Sequence, residues 1–240
     1  MIYENIPHNW KNLQKKVGSI FQTLGFEVEI EKIIETARES VEIDVYAKDA
    51  SQTPNIIYLC ECKHWNTKVP KSIVLSFRTI VNDYGCNVGY IISKKGFQKG
   101  AYECIKNTNI ELLDWFSFQK RYGERWFIAK AHSFYKKFLK IIDYTEPINA
   151  GIYKKNLQLN EYKKREFYKL QKKYETLGFL LATFCVPEFI KYDLPIKYIR
   201  YYDEDEKEII SFNDFENFFN TLEYDCNQGL EKFNKIFNEI

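Results

Sequence analysis

Two short apolar segments of this chain end in charge, and the charges are of the types that hydrolyse phosphodiesters. The first is Val41-Glu42-Ile43-Asp44-Val45-Tyr46; the second runs apolar through Ile56-Ile57-Tyr58-Leu59-Cys60 and closes on Glu61-Cys62-Lys63. A strand period of two places Val41, Ile43 and Val45 on one face of the first segment and Glu42 and Asp44 on the other. In the second it places Glu61 and Lys63 together, with Cys60 and Cys62 opposite. If the segments pair as a hairpin, Asp44 lies beside Glu61, and two carboxylates present hard oxygen ligands to Mg²⁺, with Mn²⁺ as a substitute. Sites of this kind often add the main-chain carbonyl of the residue between acid and lysine, here Cys62, which leaves that side chain free to vary. A divalent cation so held polarises a phosphoryl oxygen and acidifies a water. Lys63, two residues along on the same side, orients or deprotonates that water or stabilises the developing charge.

These residues need elements to hold them. Periodicity predicts a helix over 10–24, strands over 26–31, 41–47 and 56–63, a helix over 70–84, a strand over 88–93, a helix over 97–107 and a strand over 110–113. Pro70 suits the first turn of its helix, whose apolar stripe is Ile73, Val74, Phe77, Ile80, Val81 and Tyr84. The sum is an α/β arrangement, a mixed sheet flanked by helices.

In this order the elements resemble the PD-(D/E)xK nuclease superfamily, and within it the Mrr-like restriction endonucleases. The resemblance is carried by a first helix ending in Leu24-Gly25-Phe26, then Asp44, then Glu61-Cys62-Lys63-His64-Trp65. It continues through Gly89-Tyr90-Ile91-Ile92-Ser93, the turn Gly96-Phe97-Gln98, Ala101 and the strand Ile110 to Asp114, and so covers about residues 8–118. It implies a restriction-endonuclease-like fold and Asp44, Glu61 and Lys63 as the catalytic set, the two acids and the Cys62 carbonyl being the metal ligands. Members of the family often carry Glu on the first helix, where this chain has Gln14, and many have Gln where it has Glu61. Loss of the helix carboxylate weakens a second metal site and leaves the first. Glu42 and Gln98 are possible supporting residues, although a surface ion pair for Glu42 and a helix-start hydrogen bond for Gln98 account for them as simply. His64 points away from Lys63 by alternation, and Cys60 and Cys62 read as small buried residues.

The chain has 240 residues, 45% of them hydrophobic and 17% aromatic, enough for a buried core in one large or two small domains. Lys and Arg number 35 against 33 Asp and Glu, so any nucleic-acid surface has to be local. Six cysteines without a CxxC pair, and three histidines, do not make a zinc framework. No basic-then-apolar leader opens the chain and no run approaches membrane-spanning length, which leads us to expect a soluble, cytoplasmic protein with no membrane partner.

We expect a nuclease domain over 1–120 and a mostly helical region over 121–240, its role either DNA binding or oligomerisation. Helical periodicity covers 126–144 and 160–185, with Pro187 ending the second helix. A hairpin of 196–202 and 208–212 has an acidic tip at 203–207. Asn213-Asp214-Phe215-Glu216 reads as a capping box before a last helix striped by Phe215, Phe218, Phe219, Leu222, Cys226, Leu230, Phe233 and Phe237. Residues 154–173 hold eight basic side chains against two acids. Lys163, Lys164, Lys169 and Lys172 there, with Lys94, Lys95 and Lys99 around the Gly96 turn, are the candidate DNA contacts. For the helix, a solvated charged face is the commoner meaning of such a run.

The resemblance implies a Mg²⁺-dependent endodeoxyribonuclease of type II or type IV restriction character, acting on foreign DNA in prokaryotic defence. A homodimer is the natural form, since one site cuts one strand. Repair or RNA-directed cleavage would use the same site. From a different class, the chain could be a weak or inactive nuclease-fold subunit that binds nucleic acid or joins other defence proteins.

Overall fold

In the computed structural model, residues 1–146, 148–186, 193–202 and 206–237 are described. The chain divides into two compact units, Asn5–Trp126 and Met1–Glu4 together with Phe127–Ile240. Pro187 and the hairpin-tip residues 203–205 lie outside the described residues.

The first unit runs α1 (Trp10–Thr23), β1 (Glu27–Glu35), β2 (Ser40–Asp49), β3 (Ile56–Lys63), α2 (Lys71–Tyr84), β4 (Val88–Ser93), α3 (Lys99–Glu103) and β5 (Ile110–Asp114), then the start of α4 (Trp115–Lys137). The strands form one sheet in sequence order. β1, β2 and β3 pair antiparallel, and β3, β4 and β5 pair parallel through the α2 and α3 crossovers. This is the expected mixed sheet flanked by helices.

Each face of the sheet has its own cover. Along β3, Tyr58 stacks between Phe26 and Tyr90 and packs on Phe21 of α1, and Phe118 and Tyr122 of α4 close over these rings edge-on. The next residue, Leu59, points the other way into a cluster with Val74, Phe77 and Val81 of α2, as strand alternation requires. Asn9 caps α1 by accepting from the Asn12 N–H. Gly25 at φ 85° ends it in the left-handed conformation that only glycine adopts cheaply.

Several boundaries differ from expectation. β1 continues to Glu35 because its pairing with β2 does. Pro70 is the N-cap of α2, one position before the first turn. α3 is only Lys99–Glu103, and α4 begins at Trp115, where Asp114 caps it by accepting from the Ser117 N–H. The strict alternation expected of β2 fails: Ile43 and Tyr46, three apart, share one buried cluster. The β1–β2 ladder skips a single rung, Glu31 opposite Asp44, and Glu31 sits at φ 55°. A left-handed non-glycine residue inside a strand rotates the chain locally, and the faces exchange there.

The second unit contains the rest of α4, α5 (Leu139–Thr145), α6 (Ala150–Leu157), α7 (Glu161–Thr183), the hairpin β6 (Ile196–Tyr201) with β7 (Lys207–Phe212), and α8 (Phe215–Phe237). The expected helix over 126–144 is broken at Phe138, the N-cap of α5. Lys154 and Lys155 lie on α6 rather than on α7. α8 buries most of its predicted stripe, with Phe218, Phe219, Leu222, Cys226 and Phe233 in the core. Its capping residue is Asp214, not Asn213. The Asp214 carboxylate accepts from the Asn217 N–H, while the N–H groups of Phe215 and Glu216 donate to the carbonyls of Met1 and Ile2. The first three orphan donors of the helix are thus satisfied, two of them by the start of the chain.

Where α5 and α7 meet, a Cβ built on Gly178 would stand 1.8 Å from Thr145 Oγ1 and 2.8 Å from its Cβ. Gly178→Ala is therefore expected to destabilise the protein by about 1–3 kcal/mol through overpacking. Urea unfolding of the two proteins tests this, and an unchanged midpoint would contradict the close approach. Among the described residues no helix is long and apolar enough to cross a membrane.

Candidate active site

The β2–β3 ladder ends at Val45 opposite Cys60, and just beyond that rung the chain turns its hydrogen bonding to side chains. Continued register would set Cys62 against the Ile43 backbone. Instead the Cys62 N–H donates to Asp44 Oδ2 at 2.6 Å. The second oxygen of Asp44 accepts from Gln14 Nε2, also at 2.6 Å. Gln14 is 2% exposed on the buried face of α1. Asp44 is thus held from two sides, by a neighbouring strand and by the first helix, at the rung where Glu31 breaks the sheet. The distortion in β1 and the aim of the carboxylate are one feature.

Glu61 and Lys63 stand at the end of β3, their side chains 19% and 18% exposed, joined as an ion pair. Burial, and after it the charge on Asp44, push the Glu61 carboxyl above its ordinary range, with Lys63 opposing. The Lys63 ammonium also lies 5.4 Å from the centre of the Trp65 ring, within cation–π reach. β3 runs parallel to β4 through the pair Lys63 and Ser93. Beyond it the two following loops are tied together: Lys94 N–H to the Lys63 carbonyl, Val69 N–H to the Gly96 carbonyl, Gln98 N–H to the Val69 carbonyl.

The remaining neighbours are accounted for. The His64 ring nitrogen Nε2 lies 2.7 Å from the Pro7 carbonyl, which engages the imidazole away from Lys63. Burial first, and then the Asp44 charge, raise the Cys62 thiol well above its usual range, so it stays protonated and is no nucleophile. Glu42 is exposed on β2 opposite Ile33. Gln98 is exposed at the N-cap of α3, where its side chain makes no capping bond.

Residues 8–121 match the Mrr_cat family model, described as restriction endonuclease. This segment is an Mrr-type restriction endonuclease domain. No curated protein matches the chain. Solved structures similar to it include a protein of unknown function, AF1548, at 20% identity and TM-score 0.41 over 48% of this chain and 67% of that one. Two others are the DNA modification-dependent restriction endonuclease AspBHI, at 13% and 0.35, and MspJI in complex with a 27-mer oligonucleotide, at 14% and 0.31. They align with 47% and 45% of this chain, which spans only 31% and 26% of theirs.

Whether this nuclease domain suits a divalent cation is a question of donors. Among the described residues no three His, Cys, Asp or Glu side chains cluster as metal ligands. The set at hand is two carboxylates, Asp44 and Glu61, with the Cys62 carbonyl. Hard oxygens completed by water and by phosphate are what Mg²⁺ takes, and a carboxyl disfavoured by its neighbour's negative charge is one a cation would relieve. The residues fit a single cation. Gln14, in place of the helix carboxylate common in the family, donates to Asp44 and offers no second site.

The lysines separate into two kinds. Lys95 in the turn after β4 and Lys99 at the start of α3 are exposed, while Lys94 donates to Asn66 Oδ1 at 3.0 Å. On α7, Lys163 donates to the Ile236 carbonyl, Lys164 pairs with Glu161 at 2.9 Å and Lys169 with Glu166 at 3.3 Å. The sequence pattern counted those charges but could not show which had local partners. Nor did it reveal Asn66, or Trp65 as a ring beneath the lysine.

Proposed function

We propose that the chain is a Mg²⁺-dependent endonuclease that hydrolyses the phosphodiester bonds of DNA, Asp44 and Glu61 being the metal ligands together with the Cys62 carbonyl. The observation that carries this reading is the convergence of Asp44, from a broken strand rung, with the Glu61–Lys63 pair at the end of β3. A bound divalent cation supplies Lewis-acid polarisation of the scissile phosphate and a more acidic water. The chain's own residues supply the rest. Gln14 and the Cys62 N–H keep Asp44 in one rotamer, so little reorganisation is needed when the substrate arrives. Lys63 shares its charge between Glu61 and a phosphate oxygen or the attacking water, and the Trp65 ring keeps the ammonium from swinging into solvent.

The biological setting that fits is cytoplasmic prokaryotic defence against foreign DNA. A homodimer would give two sites for the two strands, and other defence proteins are possible partners. Gln14 is the feature that favours the other reading, a weak or inactive subunit that binds nucleic acid. One assay decides: purified full-length protein with plasmid, linear, single-stranded and methylated DNA, and RNA, each with Mg²⁺, Mn²⁺ or EDTA. Metal-dependent DNA cleavage is expected, and no cleavage of any substrate would leave the binding-subunit reading standing.

For DNA binding, the loop lysines are expected to matter more than those of α7, because Lys164 and Lys169 already pair with Glu161 and Glu166 and Lys163 donates to the Ile236 carbonyl. Replacing Lys94, Lys95 and Lys99 by Gln should flatten the salt dependence of duplex binding by about 0.9 in slope for each phosphate that the protein no longer neutralises. The quadruple Gln variant at Lys163, Lys164, Lys169 and Lys172 should change the slope less. Fluorescence anisotropy over a salt series measures both, and the reverse order would move the DNA path to α7.

A further inference from the structure

The second unit contains a cleft unrelated to the metal-binding carboxylates. Its volume is about 360 Å³, and it is enclosed by α7, the hairpin strand β6 and α8. That is near the lower end of the roughly 300–1,000 Å³ range of small-molecule sites, room for one planar heterocycle and its attached groups. The floor is Tyr174, Tyr198 and Asp225, each at least nine-tenths buried. Tyr202 and Tyr224 stand at the rim, 44% and 62% exposed.

Tyrosine density and charge together limit the ligand. Five tyrosines among ten lining residues bring aromatic rings to the cleft, and aromatic rings are what bases stack on whatever their sequence. Arg200 is locked in the floor, its Nε donating to Asp225 Oδ2 at 2.9 Å, with Glu208 at 3.5 Å from its NH1. Lys173 lies against the Tyr202 ring and carbonyl, and Lys232 lines the cleft from α8. Lys173, Arg200 and Lys232 line the cleft with Asp225, and Glu208 just outside it offsets part of the Arg200 charge; the positive balance that remains, on Lys173 and Lys232, favours an anionic ligand. The Gln228 amide adds a donor and an acceptor suited to a base edge. An inorganic anion would leave the rings unused, and an apolar ligand would strand the ammonium groups.

We propose that this cleft binds a single nucleotide, its base against Tyr202 and Tyr224 and its phosphate toward Lys173 and Lys232. Two sources share this chemistry: a free mononucleotide acting as an effector, or an unpaired nucleotide of a polynucleotide. Only the second draws on the nuclease reading.

The test is calorimetric binding to the full-length protein in EDTA, where cleavage cannot occur, so failure of the nuclease reading does not affect it. The probes are the four deoxynucleoside 5′-monophosphates, the four ribonucleoside 5′-monophosphates, a single-stranded 15-mer and a blunt duplex of the same sequence. Binding of any monophosphate identifies a free nucleotide; binding of the single strand alone identifies an unpaired one. In either case Tyr224→Ala should weaken affinity about tenfold or more, and Lys232→Gln severalfold with a shallower salt dependence. Tyr224 is exposed enough to truncate, and an unchanged melting temperature confirms intact folding. The proposal is overturned if no monophosphate and no single strand binds, or if a folded Tyr224→Ala protein binds as tightly as wild type.

Discussion

Asp44→Asn is expected to reduce cleavage by about 10³-fold or more while leaving the melting temperature almost unchanged. On the proposed reading of Asp44 as a metal ligand, the size follows from losing the charge that would hold a cation worth several kcal/mol to the transition state. The stability follows from Asp44's two donors. An Asn at 44 still accepts from the Cys62 N–H, and the Gln14 amide can turn over so that its oxygen accepts from the new NH₂ group, preserving both bonds seen with the carboxylate. Asp44→Ala should be equally inactive but less stable, since it leaves the Gln14 amide and the Cys62 N–H without that acceptor at about 1–3 kcal/mol each. Relief of charge crowding alone would have suggested that Ala is harmless. The measurements are single-turnover cleavage and thermal melts of wild type and both variants, and substantial cleavage by Asp44→Asn would remove Asp44 from the metal site.

Lys63→Met separates chemistry from metal binding. Cleavage should drop about 10²–10³-fold, the usual loss when one group facing developing charge is removed. Methionine keeps much of the unbranched stem beside Trp65, so the fold should tolerate it. The cation's affinity should hold or rise, because the Glu61 carboxylate loses its competing ammonium. Stabilisation by a saturating divalent ion reads that affinity directly, at about 2.7 kcal/mol when the ion is at one hundred times its dissociation constant. Cleavage within a few-fold of wild type would leave Lys63 a structural partner of Glu61 only. If metal-induced stabilisation vanished as well, Lys63 would be organising the site rather than acting in the reaction.

The order of elements in the first unit was legible in the chain because each is signalled locally. The alternation and apolar run of β2 and β3, the stripe of α2 and the glycine turns after α1 and β4 all depend on residues within a few positions of one another. The same locality makes Asp44, Glu61 and Lys63 readable as a set, since an apolar strand ending in acid-x-Lys constrains which groups lie at its tip. The charge run on α7 and its two acids were visible too, but not that Glu161 and Glu166 pair with Lys164 and Lys169 or that Lys163 donates to the Ile236 carbonyl.

Only the tertiary structure decided how those residues are aimed. A strict period of two would have kept Val41, Ile43 and Val45 on one face. The left-handed Glu31, on a different strand, breaks the rung at Asp44, and a helix residue thirty positions away takes one of its oxygens. At α8 the local pattern named Asn213 as the cap, yet the helix is closed by Asp214 and by the carbonyls of Met1 and Ile2. In both places a decisive partner is a donor or acceptor far along the chain: Gln14 for Asp44, and the Met1 and Ile2 carbonyls for α8. Local sequence records the need for such a partner, whereas its identity emerges only when folding removes the alternative of bonding to water.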